Sequence, residues 1–294
     1  MKIYLDGKFC EKEDAKVSVF DHGVLYGDGI FEGIRAYNGR IFRLEDHLRR
    51  LEDSARAILL KLPLSIKEIE KAVVETVRLN GLKDAYIRLV VTRGVGDLGL
   101  DPRKCDRGAT LFIIADKIAL YPEEFYEKGL TLVTSAVRQK GLDQVTPAVK
   151  SLNYLANILA RAEATAAGAQ EAVLLNAAGN VSECSGDNIF FVKDGKISTP
   201  PVSAGILVGV TRNVVIELAQ QKLGVKIDER DFSRYELYTA DEVFLTGTGA
   251  EVIAGVKIDD RVIGAGVAGP ITKKLIKHFR EYANSSGTPV YETA

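Results

Sequence analysis

One lysine, Lys150, sits in the run Thr146-Pro-Ala-Val-Lys-Ser-Leu-Asn-Tyr-Leu155, set among small and apolar residues. Lysines are ordinarily solvated surface charges. An apolar setting lowers the pKa of an ammonium and frees the amine to attack a carbonyl. Further on, Glu183-Cys-Ser-Gly-Asp-Asn-Ile-Phe190 places a carboxylate ahead of a small-residue turn. Ser185 and Gly186 there would let backbone N–H groups approach an anion. Leu207-Val-Gly-Val-Thr-Arg212 then leads into a predicted helix, with Gly209 before it and Thr211 at its start. A helix N-terminus of that kind is a ready phosphate site. Each piece alone reads as something plainer: a surface charge, a hairpin corner, a capped helix. Taken together they describe a holder for an electrophilic, phosphate-bearing cofactor.

A second glycine pattern points elsewhere. Gly94-Val-Gly96-Asp-Leu-Gly99 fits G-x-G-x-x-G and follows a predicted strand. In a dinucleotide site the third glycine opens a helix, yet Leu100-Asp-Pro102 cannot continue one and the next element is a strand. These glycines are expected to let a loop pass close to something else.

The elements that must position these residues can be read in order. Asp6-Gly7 and Asn38-Gly39 are hairpin turns. The run from Asp21 to Gly33 is glycine-rich, and Leu44 to Leu60 is an amphipathic helix. Ser65 and Glu68 form a capping box for a helix running to Asn80 and stopping at Gly81. Tyr86 and Arg88, two apart on a strand, project from one face. Residues 1–119 are expected to form a small N-terminal domain, 120–130 an interdomain loop and 131–294 a larger C-terminal domain. In the second, helices are predicted over Ser151–Ala167, Thr211–Leu223 (Thr211 as N-cap) and from Pro270 to Asn284, with a loose tail after it. Strands and helices mix without regular βαβ alternation, which favours two α+β domains.

Composition excludes several function classes. The formal charge of −1 leaves no electrostatic footprint for nucleic acid or an acidic membrane. No apolar run approaches the ~20 residues of a membrane span, and the N-terminus carries no signal-peptide pattern. Three scattered cysteines and three scattered histidines match no metal spacing. The sparse, odd cysteine count suits a reducing cytoplasm.

The motifs E-x-S-x-x-N-I-F, I-S-T (Ile197–Thr199) and L-V-G-V-T-R, in that order, resemble the signature of the class IV (fold type IV) pyridoxal-phosphate aminotransferases. Within that family Y-G-D-G-I-F-E-G-I-R-A-Y, H-L-R-R-L-E-D-S-A, A-Y-I-R and T-P-A-V-K-S-L-N-Y-L resemble the branched-chain amino acid aminotransferases. The resemblance implies two α/β domains of the fold-type IV kind and pyridoxal 5'-phosphate as cofactor. It implies that Lys150 bonds the cofactor and shuttles the proton. Glu183 would pair with the pyridinium nitrogen and Tyr154, four after Lys150 on one helical face, with the phenolic oxygen. Arg50, Gly209, Val210, Thr211 and Thr248 would take the phosphate, with Leu207 against the ring. For substrate it implies an apolar wall of Tyr26, Phe31, Gly33 and Tyr121. Tyr86 and the Thr248-Gly249-Ala250 backbone would take the α-carboxylate, and Arg88 the second carboxylate of glutamate. Leu98 and Leu100 would reach a neighbouring subunit, making a homodimer or higher homo-oligomer. The implied reaction moves the amino group of a branched-chain amino acid to 2-oxoglutarate by ping-pong. D-amino-acid aminotransferase and aminodeoxychorismate lyase are the alternatives on the same fold. Two positions depart from the family pattern: Cys184, where a small residue is common, and Gly249, where alanine is common.

Overall fold

The computed structural model describes residues 1–117 and 121–291, which divide into two compact units. Unit one comprises Met1–Ile118, Val149–Asn153 and Ala283–Ala294, and unit two Ala119–Ala148 and Tyr154–Tyr282. The chain changes unit close to the expected boundary. It also returns to unit one twice, and the segment expected to be an interdomain loop contains a helix over Glu123–Lys128.

Unit one carries β1 (Lys2–Leu5), β2 (Lys8–Glu11), β3 (Gly29–Tyr37), β4 (Arg40–Ile41), β5 (Ala85–Thr92) and β6 (Leu111–Asp116). Its helices are α1 (His22–Tyr26), α2 (Leu44–Ala57) and α3 (Ile66–Leu79). Both hairpin turns form as the sequence predicts, with φ of 45° and 88° at Asp6-Gly7 and 49° and 76° at Asn38-Gly39. The capping box at Ser65 and Glu68 is made in both directions. Leu44, Leu48, Leu51 and Ala55 of α2 join Ile69, Val73 and Val77 of α3 in a core with Ile30, Ile34, Ile87 and Leu89. The alternation of β3 therefore sends Ile30, Glu32 and Ile34 into the core and Phe31 and Gly33 to the opposite face. Cross-strand pairing of Phe31 with Val90 and Gly33 with Arg88 puts Tyr86 and Arg88 on that same opposite face.

Unit two carries α4 (Glu123–Lys128), β7 (Leu130–Arg138), α5 (Leu155–Ala166), β8 (Glu171–Leu175), β9 (Val181–Cys184), β10 (Asn188–Lys193) and β11 (Lys196–Thr199). There follow α6 (Val210–Leu218), β12 (Asp228–Glu229), α7 (Arg234–Tyr238), β13 (Glu242–Gly247), β14 (Glu251–Ile258), β15 (Arg261–Val262) and α8 (Pro270–Ser285), the last ending in unit one. The sheet runs β12-β11-β10-β13-β14-β7-β8-β9, with β15 beside β14. Ala160 and Ala164 let α5 approach Ala172 and Leu174 closely, and its other face leaves Leu155, Ile158 and Leu159 exposed.

The C-terminal tail is not loose through residue 291. β16 (Thr288–Pro289) pairs with β4, giving a first sheet in the order β16-β4-β3-β5-β6-β1-β2. Val290 is buried and the Tyr291 hydroxyl donates to Leu82 O at 3.0 Å.

Candidate active site

The helix predicted from Ser151 starts later, and residues 149–153 belong to unit one. Phe31 N donates to Lys150 O and Leu152 N to Gly29 O, both at 2.9 Å, while Ser151 bridges Ile30. Residues 149–153 thus lie extended along β3, because strand hydrogen bonds win over local helix propensity. Helix α5 starts only at Leu155, with Tyr154 at its N-cap, so Lys150 and Tyr154 do not share a helical face. The Lys150 N–H donates to Ser54 Oγ at 3.2 Å, and Nζ stands 4.7 Å from the centroid of the Phe31 ring. The Arg88 guanidinium stands 4.6 Å from the same centroid and donates to the Tyr86 hydroxyl at 3.0 Å. One aromatic ring therefore carries both an amine and a fixed guanidinium. Gly33 is required beside them: a Cβ there would lie 2.2 Å from the Tyr86 hydroxyl oxygen.

Arg50 is bound to a residue that the sequence reading passed over. Its Nε and Nη2 donate to the two carboxylate oxygens of Glu32 at 2.8 and 2.7 Å. His47 Nδ1 lies 2.8 Å from Glu32 Oε2 and, since that oxygen can only accept from it, is the donor. Glu32 and His47 are fully buried. Burial opposes ionisation of Glu32, but the Arg50 charge and hydrogen bonds outweigh it and hold the carboxyl at about 2. Burial pulls His47 down from its ordinary value, and the Arg50 and Lys150 charges add to that against the pull of Glu32. The signal was present in the sequence: period-two alternation in Ile30-x-Glu32-x-Ile34 sends a carboxylate to the core, where it must be paired.

The glycines of the rejected nucleotide pattern serve packing. A Cβ at Gly94 would fall 1.9 Å from Gly108 O, and one at Gly96 would fall 2.7 Å from both Cys105 Sγ and His22 Nε2. Leu98 and Leu100 stand exposed, and the Leu98 carbonyl accepts from the Tyr26 hydroxyl.

In unit two the carboxylate of Glu183 is buried. Its Oε1 accepts from Gln139 Nε2 at 2.6 Å. Its Oε2 accepts from Leu207 N at 2.9 Å and Asn188 Nδ2 at 3.3 Å. Asn188 also donates to Leu207 O at 2.9 Å, so one amide ties the strand carrying the carboxylate to the loop entering α6. That helix begins one residue earlier than predicted, with Gly209 rather than Thr211 at the N-cap and no side-chain hydrogen bond capping it. Its first-turn N–H groups, including those of Val210 and Thr211, are the natural ligands of an anion. A Cβ at Gly209 would lie 2.1 Å from Asn188 Oδ1. Thr248, Gly249 and Ala250 form the turn joining β13 and β14, and β13 pairs with β10 through Thr246 and Asn188. Lys140 Nζ lies 5.9 Å from the centroid of the Tyr154 ring.

Tyr121, expected on a substrate wall, is buried and packs in the core of unit two. Its hydroxyl lies 3.4 Å from Glu171 and 3.2 Å from Arg161, and burial together with the Asp187 and Glu171 charges pushes its pKa up. Cys184 is fully buried in the same region and burial raises its thiol well above the ordinary range. This is the behaviour of a packing residue.

The donor set suits pyridoxal phosphate. Unit one supplies an amine in an aromatic setting and an arginine. Unit two, taken by itself, holds a buried carboxylate that accepts from Gln139, Asn188 and Leu207, and a helix N-terminus with no side-chain cap. Among the described residues no cluster of His, Cys, Asp or Glu could hold a metal ion, and no helix is long and apolar enough to cross a membrane.

A sequence model of the amino-transferase class IV family matches residues 29–258. A Methanocaldococcus jannaschii protein, provisionally named a branched-chain-amino-acid aminotransferase, is 52% identical over 292 residues, covering 99% of this chain and 100% of that one. The crystal structure of a branched-chain aminotransferase from Thermoproteus uzoniensis with norvaline superposes with a TM-score of 0.92 at 41% identity, over 99% of each chain. That of the T.th. branched-chain amino acid aminotransferase complexed with N-(5'-phosphopyridoxyl)-L-glutamate gives 0.90 at 39% identity, over 96% of this chain and 94% of that one. The fold is that of the fold-type IV aminotransferases, and the chain belongs to the amino-transferase class IV family, whose members are pyridoxal-phosphate enzymes.

Proposed function

We propose that this chain transfers the amino group of L-leucine, L-isoleucine or L-valine to 2-oxoglutarate, giving the 2-oxo acid and L-glutamate in two ping-pong half-reactions. The observation that carries this reading is the Phe31 ring with the Lys150 amine and the Arg88 guanidinium both against it. It joins a reacting amine, an apolar surface for a branched side chain and a cation for the second carboxylate of glutamate. The solved relatives with norvaline and with phosphopyridoxyl-glutamate support the same two substrate types.

Bound pyridoxal phosphate would supply the electron sink. Lys150 Nζ would take the proton from the substrate Cα and deliver it to the cofactor's C4′. Glu183 would pair with the ring nitrogen and the Tyr154 hydroxyl with the phenolic oxygen, with Leu207 against the ring. Arg50, Gly209, Val210, Thr211 and Thr248 would take the phosphate. Tyr26, Phe31, Gly33 and Tyr121 would line the apolar wall, while Tyr86 and the 248–250 backbone would bind the α-carboxylate. Arg88 meets glutamate by charge-assisted hydrogen bonds. We read the enzyme as a cytoplasmic homodimer whose Leu98 and Leu100 reach the partner's site.

The purified protein should be yellow, and borohydride should fix the cofactor on Lys150. Incubation with L-leucine and 2-oxoglutarate should yield L-glutamate. A protein that forms none, but acts on D-alanine, would move the assignment to the D-amino-acid enzymes of this fold.

A further inference from the structure

Gln139 follows directly on β7, and its N–H donates to Leu175 O at 3.0 Å, so the sheet fixes its backbone. Its side chain is buried. The amide has one permitted orientation. Oε1 accepts the backbone N–H of Lys140 at 3.0 Å, which turns Nε2 toward Glu183 Oε1 at 2.6 Å. Flipping it would set its oxygen against a carboxylate oxygen and its NH2 against an N–H donor. The loop at Gly205 packs over the pair: a Cβ there would come within 3.4 Å of Lys140 O and 3.6 Å of Gln139 Cγ. The Lys140 side chain adds a cation in the same place. Burial lowers its pKa, and the Glu183 charge works against that lowering.

We propose that Gln139, oriented by the Lys140 N–H, is a positioning residue that holds Glu183 as an aligned anion toward the cofactor's ring nitrogen. The inference rests on the role given to Glu183 above. A buried carboxylate stays ionised in proportion to the donors it accepts. Asn188 and Leu207 both serve Oε2, whereas the Oε1 side is held by Gln139. Without it Oε1 loses that donor, so the carboxylate is less firmly aligned and more readily takes a proton, and its hold on the ring nitrogen weakens.

Two substitutions separate alignment from bulk. Gln139→Leu removes the donor, and Gln139→Glu keeps the shape but sets a second carboxyl against Glu183. Both are examined as holoenzymes, by the visible absorption of the bound cofactor, by cofactor affinity from absorbance titration of the apoprotein, and by kcat and KM for L-leucine. The expected result is a kcat lower by about ten-fold in Gln139→Leu and by more in Gln139→Glu, since a hydrogen bond to a charged group is lost. KM should stay within about two-fold, because the contact is not to substrate. The cofactor's absorption should change in both variants, and its affinity should fall. Parent-like kcat, spectrum and affinity in either folded variant overturns the proposal, as does a raised KM at unchanged kcat. If Gln139→Leu does not fold, the near-isosteric Gln139→Glu decides. The parent protein separates the two readings. If it neither binds cofactor nor transfers amino groups, the assigned reaction fails and this inference with it. If it is active and only the Gln139 variants are parent-like, this inference alone fails.

Discussion

Glu32 shows how much one side chain can carry. It lies at full burial with a bidentate arginine and a histidine on its two oxygens. Removing one partner of such a buried pair costs roughly 3–5 kcal/mol. Glu32→Gln should therefore lower the thermal midpoint markedly and weaken cofactor binding through Arg50, which calorimetry and cofactor titration would register. The same cluster sets an acid limit. Glu32 is held at about 2, below its ordinary 4.5, so its stabilisation is complete above 4.5 and lost as pH falls through about 2. His47 is kept neutral below its ordinary 6.5, so its contribution is complete above 6.5 and is lost as pH falls below that value. Both act in the same direction. Stability should decline from about pH 6.5 downward and more steeply below 4.5, and a pH series of thermal midpoints would test it. Arg88 bears on specificity: Arg88→Ala should reduce kcat/KM for glutamate by about 10–100-fold, the worth of a charge-assisted contact, and that for leucine far less. Equal loss for both substrates would refute its assigned role.

At the scale of elements, the glycines next to functional side chains are steric decisions. Gly209 opens α6 with no room for a Cβ beside Asn188, and Asn188 in turn holds both Leu207 and Glu183. Gly209→Ala should raise the cofactor dissociation constant by about ten-fold or more, as one displaced amide disturbs the carboxylate and the helix entry together. An unchanged dissociation constant would show that the first turn of α6 does not bear the phosphate. Element starts are the least legible part of the sequence. Thr211 is a good capping residue, yet the chain reaches helical geometry at Val210 because Asn188 and Leu207 hold the preceding loop in place. The helix after Lys150 starts late for a related reason: Lys150 O and Leu152 N are bonded to Phe31 and Gly29, far away in sequence.

At the scale of the whole molecule, helix α5 buries its alanines and exposes Leu155, Ile158 and Leu159. Clustered exposed apolar residues mark an association surface. If a second copy covers it, light scattering should give twice the 32.0 kDa chain mass. Ile158→Glu would then shift the protein toward monomer. A monomeric parent protein would remove Leu98 and Leu100 from the proposed substrate site.

What the sequence determined by itself was local or chemical. The Asp6-Gly7 and Asn38-Gly39 turns and the Ser65–Glu68 capping box rest on neighbours within a few residues, so propensity decides them. The lysine, the carboxylate turn and the glycine-led helix announced the chemistry through residue type and order. Tertiary structure decided everything that depends on partners remote in the chain. It drew residues 151–153 out of the predicted helix and onto β3, and paired Arg50 with Glu32. It closed Tyr121 into a core and turned the Gln139 amide toward Glu183. Buried polar groups must find partners wherever the fold brings them, and no local pattern names those partners in advance.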